Sequence, residues 1–243
     1  MAGFDDLLKT ALTTLPSKAP DSATWDAMRL CSDSMSAKIA FALAEQLRQW
    51  GTKEARPSRP RDVGMSGAER RLAGGFGAKP VEVTWTTEES GPLMALNVNT
   101  IHFRDGRSNN VQKYLANRPG DMLGVARTLH RRLPCVDVAG FVFLDNDAKS
   151  DQAKPRKPTF ESAFPRLRIF TGWQDPAARD EQFERRRLLL VDANSFSPSW
   201  ESNHVRDPTT VVALEAVFDD LVTLAAERNF DFHEADSGKV CRG

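Results

Sequence analysis

Two strand-like runs separated by a turn, within residues 80–104, constrain the fold of this chain most strongly. In the first run Val81, Val83 and Trp85 alternate with polar residues, which is the pattern of a half-buried β-strand. The second run, 93–103, interleaves apolar residues with asparagine and threonine, and a Gly-Pro turn separates the two runs. This stretch therefore predicts a β-hairpin that carries acidic and amide side chains.

Helical and strand-like patterns alternate along the rest of the chain. We expect helices at 3–14, 22–50 (one helix or two), 66–74, 119–133, 159–170, 175–187 and 208–228. We expect buried strands at 136–145 and in the apolar run that ends at Asp192, loops at 52–67 and 195–210, and a frayed C-terminal end. Strands separated by helices predict an α/β fold, with a mixed central sheet flanked by helices. The predicted organisation is an N-terminal helical segment at 1–55 followed by an α/β domain at 66–236.

The composition is that of an ordinary globular protein, with 40% apolar and 27% charged residues. No apolar run approaches the length of a membrane span, and the first residues, which include Asp5 and Asp6, lack the pattern of a secretory signal. The three cysteines form no CxxC motif, and the four histidines have no ligand spacing. These features predict a cytoplasmic protein in a reducing compartment and argue against a structural zinc site.

The charge is balanced overall, with 33 basic and 33 acidic residues, but it is unevenly distributed. Residues 104–132 contain seven basic and two acidic residues, whereas residues 192–236 contain ten acidic and two basic residues. The basic stretch could face a polyanion such as DNA. Two alternatives remain open: the two regions neutralise each other across the fold, or they lie on separate solvated faces.

The order helix, hairpin, helix, strand over residues 66–145 resembles the core of the PD-(D/E)XK proteins, which share the restriction endonuclease-like fold. In that family an acidic residue of the second core strand and a (D/E)-x-K motif on the third hold Mg²⁺, and the lysine activates the attacking water. A divalent ion is needed because the anionic phosphodiester resists attack by a nucleophile. The resemblance therefore implies a magnesium-dependent endodeoxyribonuclease of the restriction or defence type.

Carried over residue by residue, Glu82 corresponds to the strand acid and Glu69 to an assisting acid on the helix. Asn97 and Asn99 occupy the place of (D/E)-x-K, and they depart from the pattern because neither is a carboxylate or a lysine. The resemblance implies that Glu82 and Asn97 hold the metal and that Lys113, or else Lys79, replaces the missing lysine. Alternatively, Glu82 does not bind a metal and faces solvent from an amphipathic strand.

Donors suited to phosphates and base edges follow the hairpin directly, and the predicted DNA-binding set is Arg104, Arg107, Asn110, Lys113 and Arg118. Three functions remain open. The first is a DNA-cleaving nuclease, and the second is a non-catalytic DNA-binding or assembly subunit on the same fold. The third is an α/β interaction protein whose basic face meets an acidic partner, such as its own C-terminal region in a homodimer.

Overall fold

The structure is a computed structural model, and it describes residues 3–15, 19–59, 70–74, 77–88, 90–101, 103–104, 111, 115, 119–151, 157–172, 179–192, 201–204, 207–229, 233–236 and 239–242. Its helices are α1 (Phe4–Thr13), α2 (Trp25–Gln49), α3 (Pro119–His130), α4 (Thr159–Arg168) and α5 (Leu214–Glu227), with one 3₁₀ turn at Asn146–Lys149. Its strands are β1 (Arg70–Gly74), β2 (Gly77–Val81), β3 (Val83–Thr87), β4 (Gly91–Ile101), β5 (Asp137–Asp145), β6 (Arg185–Val191), β7 (Glu201–His204), β8 (Asp207–Val211), β9 (His233–Asp236) and β10 (Lys239–Arg242).

A mixed central sheet with the strand order β3-β4-β5-β6-β7-β8 organises the fold. Strands β4, β5 and β6 run parallel, and the strands added on either side are antiparallel. Strands β1 and β2 form a separate hairpin, and so do β9 and β10. The expected α/β class, with a mixed sheet flanked by helices, is confirmed, and the expected β-hairpin is formed by β3 and β4.

Each face of the sheet is covered by its own hydrophobic core. Helices α1, α2 and α5 cover the first face, onto which Leu96, Phe141 and Leu189 project. Helices α3 and α4 cover the second face, onto which Ala95, Val142 and Leu188 project. The three parallel strands are thus buried on both sides, which explains the nearly continuous apolar sequence of β5 and of the second half of β6.

Two predicted helices are wrong over the residues that the structure describes. Residues 70–74 form strand β1, and every residue of that strand pairs with one of β2 across a Gly-rich connection. A helix this short has little stability by itself, whereas the hairpin gives the backbone of each strand a hydrogen-bonding partner. The helix predicted at 175–187 is wrong over its described part, because 185–191 is strand β6 and lies between β5 and β7. Burial in the middle of the sheet overrides the local helical pattern there.

Three other boundaries also differ from the sequence prediction. The helix predicted at 208–228 begins only at Leu214, since Pro208 and the β-branched residues after it form strand β8. Strands β7 and β8 occupy part of the predicted loop at 195–210, and β9 and β10 form a hairpin in the C-terminal end expected to fray. Over 52–58 the residues of the predicted loop are largely buried, and Arg56 forms a β-bridge with Thr84.

The N-terminal helical segment lies against the sheet. The Ser36 and Thr100 hydroxyls are 2.9 Å apart, which joins α2 to the carboxyl-terminal part of β4. Leu8 of α1 and Leu43 of α2 are fully buried in the first core. Within the described ranges, none of the helices combines the length and apolar character that a membrane span requires.

Candidate functional site

A hydrogen-bonded chain of three polar side chains joins the bend before β3 to the middle of β4. Asn97 donates from Nδ2 to Oε2 of Glu82 at 2.8 Å, and the backbone N–H of Val98 donates to the same oxygen at 3.0 Å. Asn99 in turn donates from Nδ2 to Oδ1 of Asn97. Glu82 is half-buried, and the two asparagines are 7% and 9% exposed. The structure therefore brings together two of the predicted site residues, Glu82 and Asn97.

The register of the β3–β4 hairpin explains this meeting. Val83 pairs with Leu96, so the bend residue Glu82 lies beside Asn97 although fifteen positions separate them in the sequence. Asn97 and Asn99 are two residues apart on one strand and so project from the same face of the sheet. That face is largely apolar, with the buried Arg186 of β6 as a further polar residue, and the two buried amides find hydrogen-bond partners in each other and in Glu82.

With the Asn97 amide oriented as it is, these three side chains do not by themselves form a magnesium site. Mg²⁺ requires oxygen ligands, but Asn97 turns its amide nitrogen towards Glu82, and its amide oxygen accepts a bond from Asn99. One oxygen of the Glu82 carboxylate is already held by two N–H donors. No group of three or more acidic, histidine or cysteine side chains in the described part of the chain is placed to hold a metal ion.

The other predicted catalytic and DNA-binding residues are Glu69, Arg107, Asn110, Lys113 and Arg118, and they lie outside the described residues. The side chain of Lys79 is likewise not described. Glu88, a second acid near the hairpin, is exposed at the β3–β4 turn. It lies six residues from Glu82, roughly 20 Å along an extended strand, so it cannot share a site with Glu82.

Arg104 is the described member of the predicted DNA-binding set. Its guanidinium Nη2 lies 3.0 Å from Oδ2 of Asp147, in the 3₁₀ turn that follows β5. Its backbone N–H donates to Oδ1 of Asp21, 3.3 Å away, just before α2. Sequence reasoning missed both acids. The signal for Asp147 was its position directly after a predicted central strand, since carboxyl ends of parallel strands meet at one edge of a sheet.

A second polar cluster, which sequence reasoning also missed, lies at the amino ends of β5 and β6. Glu184 is buried and accepts bonds from Nη1 of Arg228 at 2.6 Å and from the backbone N–H of Val138 at 2.9 Å. The Nε2 atom of His130 lies 3.5 Å from Glu184 and 3.0 Å from the carbonyl oxygen of Gln182. Burial lowers the pKa of His130 to about 4, so the ring is neutral at pH 7 and does not form an ion pair.

Asp137, the first residue of β5, is fully buried beside this cluster. No hydrogen bond from the described residues reaches either of its carboxylate oxygens. Burial raises the pKa of Asp137 well above its ordinary value of 3.8, and the neighbouring Glu184 carboxylate raises it further. Burial also raises the pKa of Glu184, but Arg228 opposes that effect. Because Glu184 has a cationic partner and an N–H donor, we assign the proton of this pair to Asp137.

Replacing Asp137 by asparagine should remove a pH-dependent cost of folding. The folded chain holds a proton on Asp137 that the unfolded chain releases above about pH 4. Between the unfolded and folded pKa values, the free energy of unfolding therefore falls as pH rises, by up to about 1.4 kcal/mol per pH unit. Relative to wild type, Asp137→Asn should thus become progressively more stable above pH 4 in urea titrations at several pH values.

The matched control is Asp33→Asn, which removes an exposed carboxylate from α2. Because that side chain is exposed, the substitution should change the free energy of unfolding by less than about 0.5 kcal/mol. Burying the asparagine amide in Asp137→Asn also costs stability, but that cost does not depend on pH. The informative quantity is therefore the slope of the stability difference from wild type against pH. A difference between Asp137→Asn and wild type that stays constant across the series would contradict a protonated Asp137.

An acidic cavity of about 410 Å³ lies between the start of α1 and the segment that leads into α5. Asp5, Asp6 and Glu215 line it. Burial raises the pKa of Asp5, and the neighbouring carboxylates Glu215 and Asp6 raise it further. Three acids in one cavity give it a negative potential, which is unsuited to a phosphate backbone.

Comparisons with protein family models, with curated proteins and with solved structures found no match for this chain.

Proposed function

We propose that this chain is a nuclease-fold protein of the restriction or defence type, and that it binds DNA without cleaving it. The observation that carries the non-catalytic role is the hydrogen bond from Nδ2 of Asn97 to Glu82. An amide and a backbone N–H hold the carboxylate that a nuclease would offer to a cation. The polar chain of Glu82, Asn97 and Asn99 is then a structural remnant that fixes the hairpin.

DNA binding is supported by the basic segment that follows the hairpin. Arg104 stands at its start, at the carboxyl-terminal edge of the parallel strands, where ligands bind in open α/β sheets. Seven basic residues against two acidic ones between 104 and 132 provide the positive charge that a phosphate backbone requires. A protein of this kind binds duplex DNA mainly through phosphate contacts, with an affinity that falls steeply as salt rises.

Magnesium-dependent hydrolysis of phosphodiester bonds is the second candidate. It is favoured by the adjacency of Glu82 and Asn97, the two positions at which the nuclease pattern expects metal ligands. The ion would supply charge neutralisation and an activated water. This candidate requires further groups from Glu69 and Lys113, which lie outside the described residues.

Fluorescence anisotropy with a labelled DNA duplex, across a salt series, tests the proposed binding. We expect dissociation constants of roughly 10⁻⁶ to 10⁻⁴ M near physiological salt, falling at lower salt. A supercoiled plasmid incubated with Mg²⁺ or Mn²⁺ should remain uncut. Absence of binding even at the lowest salt would overturn the proposal and would favour an interaction protein with an acidic partner.

The same plasmid assay with two single variants separates the candidates. Glu82→Ala removes the candidate site, and Glu88→Ala removes an equal charge from the distant turn. Cleavage by wild type that Glu88→Ala keeps and Glu82→Ala loses would overturn the non-catalytic role and establish hydrolysis at this site. Equal cleavage by all three proteins would also overturn it, but would remove Glu82 from the mechanism.

A further inference from the structure

The basic segment at 104–132 reaches both edges of the parallel strands, so its composition alone does not say which edge faces DNA. Arg104 lies at the carboxyl edge, where β4, β5 and β6 end. Arg131, directly after α3, lies at the amino edge, beside Asp180 and close to the start of β6. The edges are roughly 26 Å apart along β5, at about 3.3 Å per residue.

We propose that DNA contacts the carboxyl edge, and that Asp147 competes with the DNA phosphates for the Arg104 guanidinium. This inference rests on the DNA binding proposed above and adds the location and the regulation of that binding. By holding the Arg104 guanidinium, Asp147 removes the contribution that an Arg104–phosphate contact would make to the free energy of non-specific DNA binding.

The geometry of the Arg104–Asp147 pair suits an exchangeable contact. The two charged atoms lie 3.0 Å apart, and the side chains are 23% and 51% exposed. Ion pairs at this level of exposure contribute little stability, generally less than about 1 kcal/mol. The main chain at Arg104 is held by Asp21, so the guanidinium can change partner while its backbone stays in place.

Two other acids near the carboxyl edge are held by backbone donors. Asp151, 4% exposed, accepts bonds from the N–H groups of Val111 and Thr159 and from the Thr159 hydroxyl. Asp145 is 1% exposed and accepts a bond from the N–H of Asp147. Their negative charges are buried and compensated by these donors, whereas the half-exposed carboxylate of Asp147 faces Arg104.

The amino edge is less suited to a polyanion. Its ionisable groups, chiefly Glu184 with Arg228 and Asp220 with Arg185, are joined to each other, and Asp137 lies buried among them. A phosphate at this edge would have to displace partly buried partners, at a high cost in desolvation. Both edges carry one exposed or partly exposed Arg–Asp pair, Arg104 with Asp147 and Arg131 with Asp180. We favour the carboxyl edge because ligands of open α/β sheets bind there and because the amino edge contains these buried charges.

A second Arg–Asp pair provides a matched control. Arg131 and Asp180 also lie 3.0 Å apart, and their side chains are 47% and 41% exposed. Replacing either aspartate by asparagine raises the net charge by one and releases one arginine from its acid. The two variants differ in the edge they affect, and the separation far exceeds the Debye length of about 10 Å at moderate salt.

Anisotropy titrations of the full chain with a labelled DNA duplex should compare wild type, Asp147→Asn, Asp180→Asn, Arg104→Gln and the double variant Arg104→Gln/Asp147→Asn. We expect Asp147→Asn to tighten binding by about three- to ten-fold at a salt concentration of about 0.1 M and to steepen the plot of log K against log salt by about 0.9. Asp180→Asn should leave both quantities close to wild type. In the Arg104→Gln background the Asp147→Asn effect should vanish, and thermal melts verify that each variant is folded.

The remaining outcomes overturn the proposal in distinguishable ways. Tighter binding by Asp180→Asn alone would place DNA at the amino edge. If both variants bind more tightly by the same factor, or if Asp147→Asn still tightens binding in the Arg104→Gln background, the effect comes from the change in net charge and not from release of Arg104. Binding by wild type with no effect of Asp147→Asn would reject the competition while leaving the proposed function intact. Absence of DNA binding by every variant would reject both.

Discussion

Truncation of Phe218 to alanine should lower the free energy of unfolding by about 4 kcal/mol, a large part of the roughly 5–15 kcal/mol by which an ordinary domain is stable. Phe218 of α5 is fully buried. Its ring makes edge-to-face contacts with Trp50, at 6.1 Å between centroids, and with Phe141 of β5, at 6.0 Å. The change removes a large apolar volume and two aromatic pairs from the point where three separate segments meet, and neighbours fixed by the sheet cannot collapse into the cavity.

Urea denaturation followed by tryptophan fluorescence and circular dichroism measures this loss. Leu30→Ala is the control, because Leu30 is 69% exposed on α2 and should change stability by less than about 0.5 kcal/mol. Coincident transitions by the two probes would mean that the N-terminal helices unfold together with the sheet. A loss for Phe218→Ala no larger than that of the control would contradict the packing described for the first face.

Replacing Glu184 by alanine should destabilise the chain by about 3–5 kcal/mol. The change leaves the Arg228 guanidinium, which is 20% exposed, without its carboxylate, and it removes the acceptor of the Val138 N–H. The loss of stability thus arises because the Arg228 guanidinium and the Val138 N–H lose their partner, and not because the ion pair itself is strongly stabilising. Denaturant titration at neutral pH is the measurement.

Removing both partners distinguishes this explanation from a simple loss of attraction. The double variant Glu184→Leu/Arg228→Met should be markedly more stable than Glu184→Ala, because no buried charge is left uncompensated. Asp180→Ala serves as a comparison, since its pair with Arg131 is exposed on both sides and should cost about 1 kcal/mol or less. A double variant as unstable as Glu184→Ala would show that the pair itself supplies the stability.

Long periodic patterns in the sequence predicted secondary structure most reliably. The apolar run at 136–145 became the central strand β5, and the amphipathic pattern at 119–133 became α3. Short strands were missed because their partners decide them: β1 needs β2, and β7 and β8 need each other and β6. A five-residue segment has no pattern that separates a hairpin arm from a turn of helix.

Within the candidate site, the sequence predicted the neighbourhood but not the hydrogen bonds. The spacing of Glu82 and Asn97 in a hairpin placed them side by side, and they are in contact. Whether the nitrogen or the oxygen of the Asn97 amide faces the carboxylate depends on the hydrogen bond from Asn99, which the spacing of residues in the sequence does not predict. The buried arginines of β6 illustrate the same limit: Arg186 lies over the ring of Phe183, 4.9 Å away, and Arg185 binds Asp220, thirty-five residues later.

The closure of the first face has a consequence for synthesis. Helices α1 and α2 leave the ribosome first, but the strands beneath them extend to residue 191, and α5 completes the cover only at residue 227. Until then Phe141 lacks its ring contact with Phe218 of α5. The nascent chain must therefore expose the part of this apolar face that α5 covers while the residues between 141 and 227 are synthesised, and exposed apolar surface of this kind is prone to aggregation.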